Sequence, residues 1–333
     1  MDQKIKTTYL ETLRSGLEDL IRDDPKVYLL GEDICDPYGG AFKVTKGLSS
    51  KYPDRLINTP MSEQGFTGVG VGMALAGLKP IIEIMFGDFV GLTMDQILNH
   101  ASKFVEGFQK KVQLVVRTPM GGYRGYGATH SQSIEKLYFG LPNIFVISPS
   151  VVHDPGELLK KSIEIGSPVL FVENKLDYTH KLFRNEKNAD LFDIKYHGGD
   201  FPICEVNLKS ETPQLTIISY GGMVSPVLKM IFDLYIAEEI PVRLLAPSSV
   251  SPLNFELLAK LTYSDSKIMT IEEGHVPFGF GDAVISNLHQ NGIHAQFKTI
   301  GAKNNIIGAS KNVEDKVLPN FEVIIKEILQ FIN

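Results

Sequence analysis

Pro60-Met61-Ser62-Glu63-Gln64-Gly65-Phe66-Thr67-Gly68-Val69-Gly70-Val71-Gly72-Met73-Ala74-Leu75-Ala76-Gly77 is the stretch on which the fold turns. After Gln64 it holds only glycine, alanine and apolar residues with a lone threonine, and Ser62 suits a helix N-cap. A helix apolar all round is buried, so a buried helix is expected here with Glu63 at its entrance. Working outward, Val27-Tyr28-Leu29-Leu30 precedes it as a short apolar strand. Similar runs follow at Ile81-Ile82-Glu83-Ile84-Met85-Phe86, Gln113-Leu114-Val115-Val116, Ile144-Phe145-Val146-Ile147 and Val169-Leu170-Phe171-Val172. Helix-length segments lie at 7–22, 63–76, 92–108 and 156–165. Short apolar strands alternating with helices imply a parallel sheet covered on both faces.

A polar stretch over 174–204 interrupts the alternation, which resumes with Leu215-Thr216-Ile217-Ile218-Ser219-Tyr220 and a Gly221-Gly222 turn. A helix to Ala237, strands at 242–245 and 267–271, a helix from about Gly281, a strand at 296–300 and an amphipathic helix at 321–331 complete the pattern. The expected organisation is α/β, with two doubly wound domains at 1–180 and 206–333 and a linker at 181–205.

At 333 residues the chain is too long for one ordinary core. Its 43% hydrophobic and 22% charged residues are those of a globular protein, and no apolar run reaches the ~18 residues of a membrane span. A net charge of −6 without a basic stripe argues against a nucleic-acid partner. Met1-Asp2-Gln3-Lys4-Ile5-Lys6 lacks the apolar core of a secretory signal, and Cys35 and Cys204 have neither disulfide-framework nor zinc spacing. A cytoplasmic setting is expected.

Several features carry candidate chemistry. Gly68, Gly70 and Gly72 miss the spacing of a dinucleotide fingerprint, and Ile57-Asn58-Thr59-Pro60 separates them from any clear strand. Gly68, Gly72 and Ala76, four apart, point instead to tight helix packing or a subunit contact. Glu63 falls in the first helical turn, where a carboxylate either complements the helix dipole or serves as a proton-transfer group. Arg117-Thr118-Pro119-Met120-Gly121-Gly122-Tyr123-Arg124-Gly125-Tyr126-Gly127-Ala128-Thr129-His130 reads as a glycine-rich loop after a buried strand, where α/β proteins place ligands. It lacks the ending of a P-loop, and His130 is a candidate for moving protons. Glu272-Glu273-Gly274-His275 reads as a solvated loop in preference to a metal site, since no second ligand cluster has matching spacing. Asp154 and Glu157 read as capping charges.

Taken together, Gly31-Glu32-Asp33, 40–48, 60–77, Asp95-Gln96, Arg117-Thr118-Pro119-Met120-Gly121-Gly122, His130-Ser131-Gln132-Ser133, Pro149-Ser150 and Glu272-Glu273-Gly274 stand in the order and approximate spacing of one family. The chain resembles the beta subunit of thiamine-diphosphate-dependent 2-oxo acid dehydrogenases, the decarboxylating component of the pyruvate, branched-chain and acetoin dehydrogenase complexes. The resemblance implies an N-terminal pyrimidine-binding domain and a C-terminal transketolase-like domain. It also implies an α2β2 assembly with an alpha subunit and an acyl unit passed from a 2-oxo acid to lipoamide; a lipoyl-bearing acyltransferase is a further candidate partner. Matched by position, Glu63 is the glutamate that hydrogen-bonds the aminopyrimidine ring, Phe89 packs on that ring, Met85 lines the same pocket, and His130 takes part in protonation or acyl transfer. The Gly-Asp-Gly motif that holds magnesium and the diphosphate in thiamine enzymes is missing: Gly87-Asp88 is followed by Phe89 and Gly281-Asp282 by Ala283. The expectation is a chain with no metal site of its own, holding the pyrimidine half while the alpha subunit supplies the Mg2+ site.

The sequence departs from the family at Ala246-Pro247-Ser248-Ser249, where an Asp-Leu-Arg-Thr strand end is usual, and at Ile163-Glu164-Ile165-Gly166-Ser167-Pro168, where many members bind potassium. Three rivals stay open: a free-standing decarboxylase or carboligase, the C-terminal half of a split transketolase, and a non-catalytic assembly subunit.

Overall fold

The computed structural model describes residues 8–333, so the sequence reading of residues 1–7 lies outside it. Thirteen strands are described: β1 Val27–Gly31, β2 Leu56–Asn58, β3 Lys79–Glu83, β4 Val115–Met120, β5 Phe145–Ile147, β6 Val169–Asn174, β7 Phe192–His197, β8 Ile203–Leu208, β9 Leu215–Ser219, β10 Val242–Pro247, β11 Ser249–Ser251, β12 Lys267–His275 and β13 Gln296–Ala302. They form a seven-stranded sheet in the order β11-β5-β6-β4-β3-β1-β2 and a six-stranded sheet in the order β13-β12-β9-β10-β8-β7. The first is parallel except where β11 meets β5; the second turns antiparallel at β8 and β7. The two wound sheets are those expected, with mixed edges.

Neighbouring strand residues enter opposite layers because side chains alternate across a sheet. Val27, Leu29, Ile81, Val115, Val169 and Phe171 pack beneath the first sheet with Leu13 and Leu17 of the Tyr9–Asp23 helix and Leu159 of the Pro155–Glu164 helix. Leu30, Ile82, Val116, Leu170 and Val172 face the other way, into a layer that also holds Ile218, Leu245, Ile268 and Phe280 of the second sheet and its helices. The two sheets therefore share one apolar layer, and β11 crosses from the second half of the chain to the edge of the first sheet.

Three expectations need correction. Within the segment read as linker lie β7 and the start of β8, both paired into the second sheet. The Glu63–Leu75 helix is only half buried: Phe66, Thr67, Gly70, Val71 and Ala74 face the core, while Val69 and Leu75 are 56% and 40% exposed, as is Met61 just ahead of the helix at 87%. It is apolar all round because its second face is left bare, not because the chain encloses it. The four-residue small-residue stripe packs closely at one end alone: a Cβ on Gly68 would lie 3.0 Å from Gln96 Oε1 of the neighbouring helix, whereas one on Gly72 meets nothing within 4 Å. The close crossing is elsewhere: a Cβ on Gly156 would lie 2.2 Å from the Thr12 carbonyl oxygen, where the Tyr9–Asp23 and Pro155–Glu164 helices meet.

Candidate active site

Parallel strands bring their carboxyl ends to one edge, where such sheets hold ligands. At that edge β1 ends in Gly31, followed by Glu32, and β2 ends in Asn58, followed by Thr59, whose N–H donates to the Gly31 carbonyl at 3.0 Å. Ser62 occupies the N-cap position without a capping hydrogen bond, and Glu63 opens the helix, half buried. Among the described residues Glu63 makes no hydrogen bond or ion pair within the chain. Glu32 is buried with no partner on Oε1; burial, and then the Glu63 carboxylate beside it, push its carboxyl above the ordinary range.

From β3 the chain continues through Ile84, half-buried Met85 and Phe86 into a single helical turn, Gly87–Phe89. The Val90–Asp95 helix that follows packs on the Glu63–Leu75 helix. His130, thirteen residues after Arg117 on β4, returns to this point. Its ring stands edge-on to Phe86 at 4.6 Å and to Phe89 at 5.3 Å between centroids. Thr129 Oγ1 is 2.9 Å from His130 Nδ1. The structure thus joins Phe89 and His130 directly, while Glu63 and Met85 share the strand edge with them.

The glycine-rich segment begins later than expected. Arg117 is a fully buried residue of β4, ion-paired with Glu83 and held by Glu173 through Nε at 2.8 Å and Nη2 at 2.6 Å; Tyr178 donates to Glu173 at 2.5 Å. Gly121, with φ +98°, turns the chain out of the strand. Glu272 and Glu273, expected in a solvated loop, are buried in β12. Glu272 accepts from the N–H groups of Phe280 at 3.0 Å and Gly281 at 2.8 Å, at a helix start. Glu273 accepts from Gly122 N–H at 2.5 Å and Asn174 Nδ2 at 3.0 Å. Burial pushes both carboxyls up to about 7. Glu135, also buried, accepts from the Tyr220 hydroxyl at 2.5 Å. Among the described residues no three His, Cys, Asp or Glu side chains converge as metal ligands. Asp154 caps its helix as expected, accepting from the N–H groups of Gly156 and Glu157.

Against this geometry the comparisons are decisive. Residues 5–181 match the transketolase pyrimidine-binding domain and residues 205–324 the transketolase C-terminal domain. The chain is 32% identical over 326 residues to the mitochondrial pyruvate dehydrogenase E1 component subunit beta-1 of Arabidopsis thaliana, covering 96% of this chain and 87% of that protein. It is 30% identical to the human E1 component subunit beta, covering 99% and 91%. The chain belongs to the family of 2-oxo acid dehydrogenase E1 beta subunits. A solved split-gene transketolase, described as an inactive β4 tetramer, superposes with a TM-score of 0.75 at 22% identity, covering 98% of this chain and 99% of that one, and shows the shared fold.

Thiamine diphosphate is the cofactor of this E1 beta family, and the residues at the sheet edge fit its pyrimidine half. A planar ring bearing N–H donors needs an acceptor without a partner, which Glu63 is, and apolar faces, which half-buried Met85 and Phe89 offer. The Glu32 oxygen without a partner adds a second acceptor beside Glu63. Sequence reading missed Glu32 as a buried member of the edge, and missed the burial of Arg117, Lys175, Glu135, Glu272 and Glu273. Charged residue types are rarely fully buried unless their polar atoms are satisfied, and most of the groups that satisfy them here are distant in sequence. No helix among the described residues is long and apolar enough to cross a membrane, and the relatives named above are mitochondrial proteins.

Proposed function

We propose that this E1 beta subunit binds the aminopyrimidine of thiamine diphosphate through Glu63, Met85 and Phe89, decarboxylates a 2-oxo acid or cleaves acetoin, and passes the acyl unit to lipoamide. The observation that carries the reading is Glu63: a half-buried carboxylate at the carboxyl edge of a parallel sheet with every acceptor position free. When bound, the cofactor supplies the electron sink for decarboxylation. Glu63 hydrogen-bonds the ring nitrogen, giving it a proton and taking it back. Met85 and Phe89 cover the ring and exclude water. His130, held edge-on by Phe86 and Phe89, gives or takes a proton at the substrate.

The chain works with an alpha subunit in an α2β2 assembly, and that subunit holds the magnesium and the diphosphate. The bare apolar face of Met61, Val69 and Leu75, with Leu92 at 55% exposure, supports a subunit contact beside the site. A lipoyl acyltransferase is the proposed acceptor partner. The two free cysteines support a reducing, cytoplasmic setting.

The test is Glu63→Gln in the assembled alpha–beta complex, with thiamine diphosphate affinity measured beside turnover. The expected result is intact assembly with kcat lowered ~10²- to 10⁴-fold, the usual worth of a positioned proton-transfer group. Full turnover in an intact variant complex would remove Glu63 from the chemistry. Supplying lipoamide or a free aldehyde as acceptor separates the dehydrogenase from a carboligase.

A further inference from the structure

One buried charge beside this site has no part in the chemistry above. Lys175 follows β6 and is fully buried. Its ammonium donates to the His130 carbonyl and lies 5.6 Å from the ring centroids of both Phe86 and Tyr126. Among the described residues it has no ion-pair partner. The same residue grips the loop twice more: its N–H donates to the Met120 carbonyl at 3.2 Å, and its carbonyl accepts from Arg124 Nη2 at 3.1 Å. Lys175 therefore holds the loop at its base, its middle and its end.

The loop needs holding. Gly121, Gly125 and Gly127 have φ of +98°, +66° and +84°, and glycine loses more conformational freedom on ordering than any other residue. Carboxylates of the second half of the chain fix its first part, Glu273 at Gly122 N–H and Glu314 at Gly125 N–H, 3.0 Å. Gln132 donates to Asp88 at 2.7 Å just beyond the loop. At His130 itself, the backbone tie to another part of the chain is the Lys175 ammonium. A lysine buried only for packing would be better replaced by methionine, because an ammonium away from water and without a carboxylate in direct contact is costly. Cation–π contact with two rings and a charge-assisted hydrogen bond offset that cost.

We propose that Lys175 is the positioning residue for His130: its ammonium clamps the His130 carbonyl and so fixes the imidazole against Phe86 and Phe89. This rests on the reading of His130 given above. Burial pulls the Lys175 ammonium down to about 8, opposed by Asp88 and Glu273. The groups facing it are Asp88 beyond β3, Glu273 on β12, Glu314 on the Lys311–Val317 helix, and Arg124, Tyr126 and His130 on the loop. The clamp is strongest below about pH 8 and weakens above it, where the amine keeps N–H donors but loses its charge.

The experiment compares wild type, Lys175→Arg, Lys175→Met, His130→Ala and the Lys175→Met/His130→Ala pair. Kinetics use the alpha–beta complex with pyruvate as probe; amide exchange over residues 125–132 uses the full chain. Lys175→Met is expected to lower kcat ~10- to 100-fold with little change in KM, the usual effect of a small misplacement. Lys175→Arg restores most of the rate and moves the basic limb of the pH profile upward. In the His130→Ala background, Lys175→Met adds nothing further. Exchange in the segment rises in Lys175→Met, and between about pH 7 and 9.5 it rises in wild type beyond the intrinsic pH effect but not in Lys175→Arg. The wild-type and Lys175→Arg arms decide the matter if Lys175→Met fails to fold. Additive losses in the double variant, or unchanged exchange, overturn the proposal. Unchanged turnover in His130→Ala would sink the role of His130 in catalysis, and the exchange arms would still judge the clamp.

Discussion

Replacing Glu273 by glutamine should stabilise the chain in mild alkali and not in acid. Burial lifts the Glu273 carboxyl from the ordinary 4.5 to about 7. The folded pKa is above the unfolded one, so the fold binds the extra proton. Stability from this group is then greatest below about pH 4.5 and falls as pH rises to about 7. Each tenfold in proton affinity is worth ~1.4 kcal/mol, which makes the penalty on the ionised fold ~3 kcal/mol above pH 7. Glutamine abolishes that penalty while its carbonyl still accepts from Gly122 N–H. Its amide then faces Asn174 Nδ2, and Asn174 cannot turn round because its Oδ1 accepts from Leu176 N–H at 2.9 Å. The lost hydrogen bond costs ~1–2 kcal/mol. The net expectation is a difference near zero at about pH 5.5 and a gain of ~2 kcal/mol for Glu273→Gln at about pH 8.5. Urea unfolding of both proteins at the two pH values measures it. Only the difference between proteins is used, because buried His153, pulled down to about 4 by burial, gives wild type and variant alike a slope of opposite sign. A difference that stays constant with pH, or a variant weaker than wild type in alkali, would refute the burial argument.

Arg117→Met should cost ~3–5 kcal/mol by leaving Glu83 and Glu173 facing each other in the core without their cation, read as a lowered urea midpoint. Gly156→Ala should cost ~1–3 kcal/mol, because the new methyl meets the Thr12 backbone carbonyl, which has no rotamer by which to retreat; thermal unfolding reports it. Val69→Glu should leave the stability of the isolated chain within ~0.5 kcal/mol yet weaken association with the alpha subunit, since Val69 is 56% exposed on the bare helix face; sedimentation of the mixed subunits distinguishes the two effects.

The candidate site was partly legible because two of its parts are local. Ser62-Glu63 ahead of a glycine and alanine run marks a helix start whatever surrounds it, and β4 ends in a glycine-rich turn wherever it lies in the sheet. The burial of Glu272 and Glu273 was not legible. A carboxylate reads as solvated unless its donors are known, and the Gly122 N–H that Glu273 accepts from is 151 residues away. The 63–75 helix was misread for a related reason. Apolar composition on all sides is compatible with full burial or with one face awaiting a partner, and a one-dimensional pattern does not separate them.

Taken alone, the sequence determined the alternation of strand and helix, the two wound sheets and the acid at the helix start, because apolar periodicity, turn residues and capping act over a few neighbouring residues. The tertiary structure decided which charges are buried, that the two sheets share an apolar layer and exchange β11, and that Lys175 reaches the carbonyl of His130. Those outcomes depend on donors, acceptors and apolar faces brought together from distant segments, and only the closed fold sets such distances.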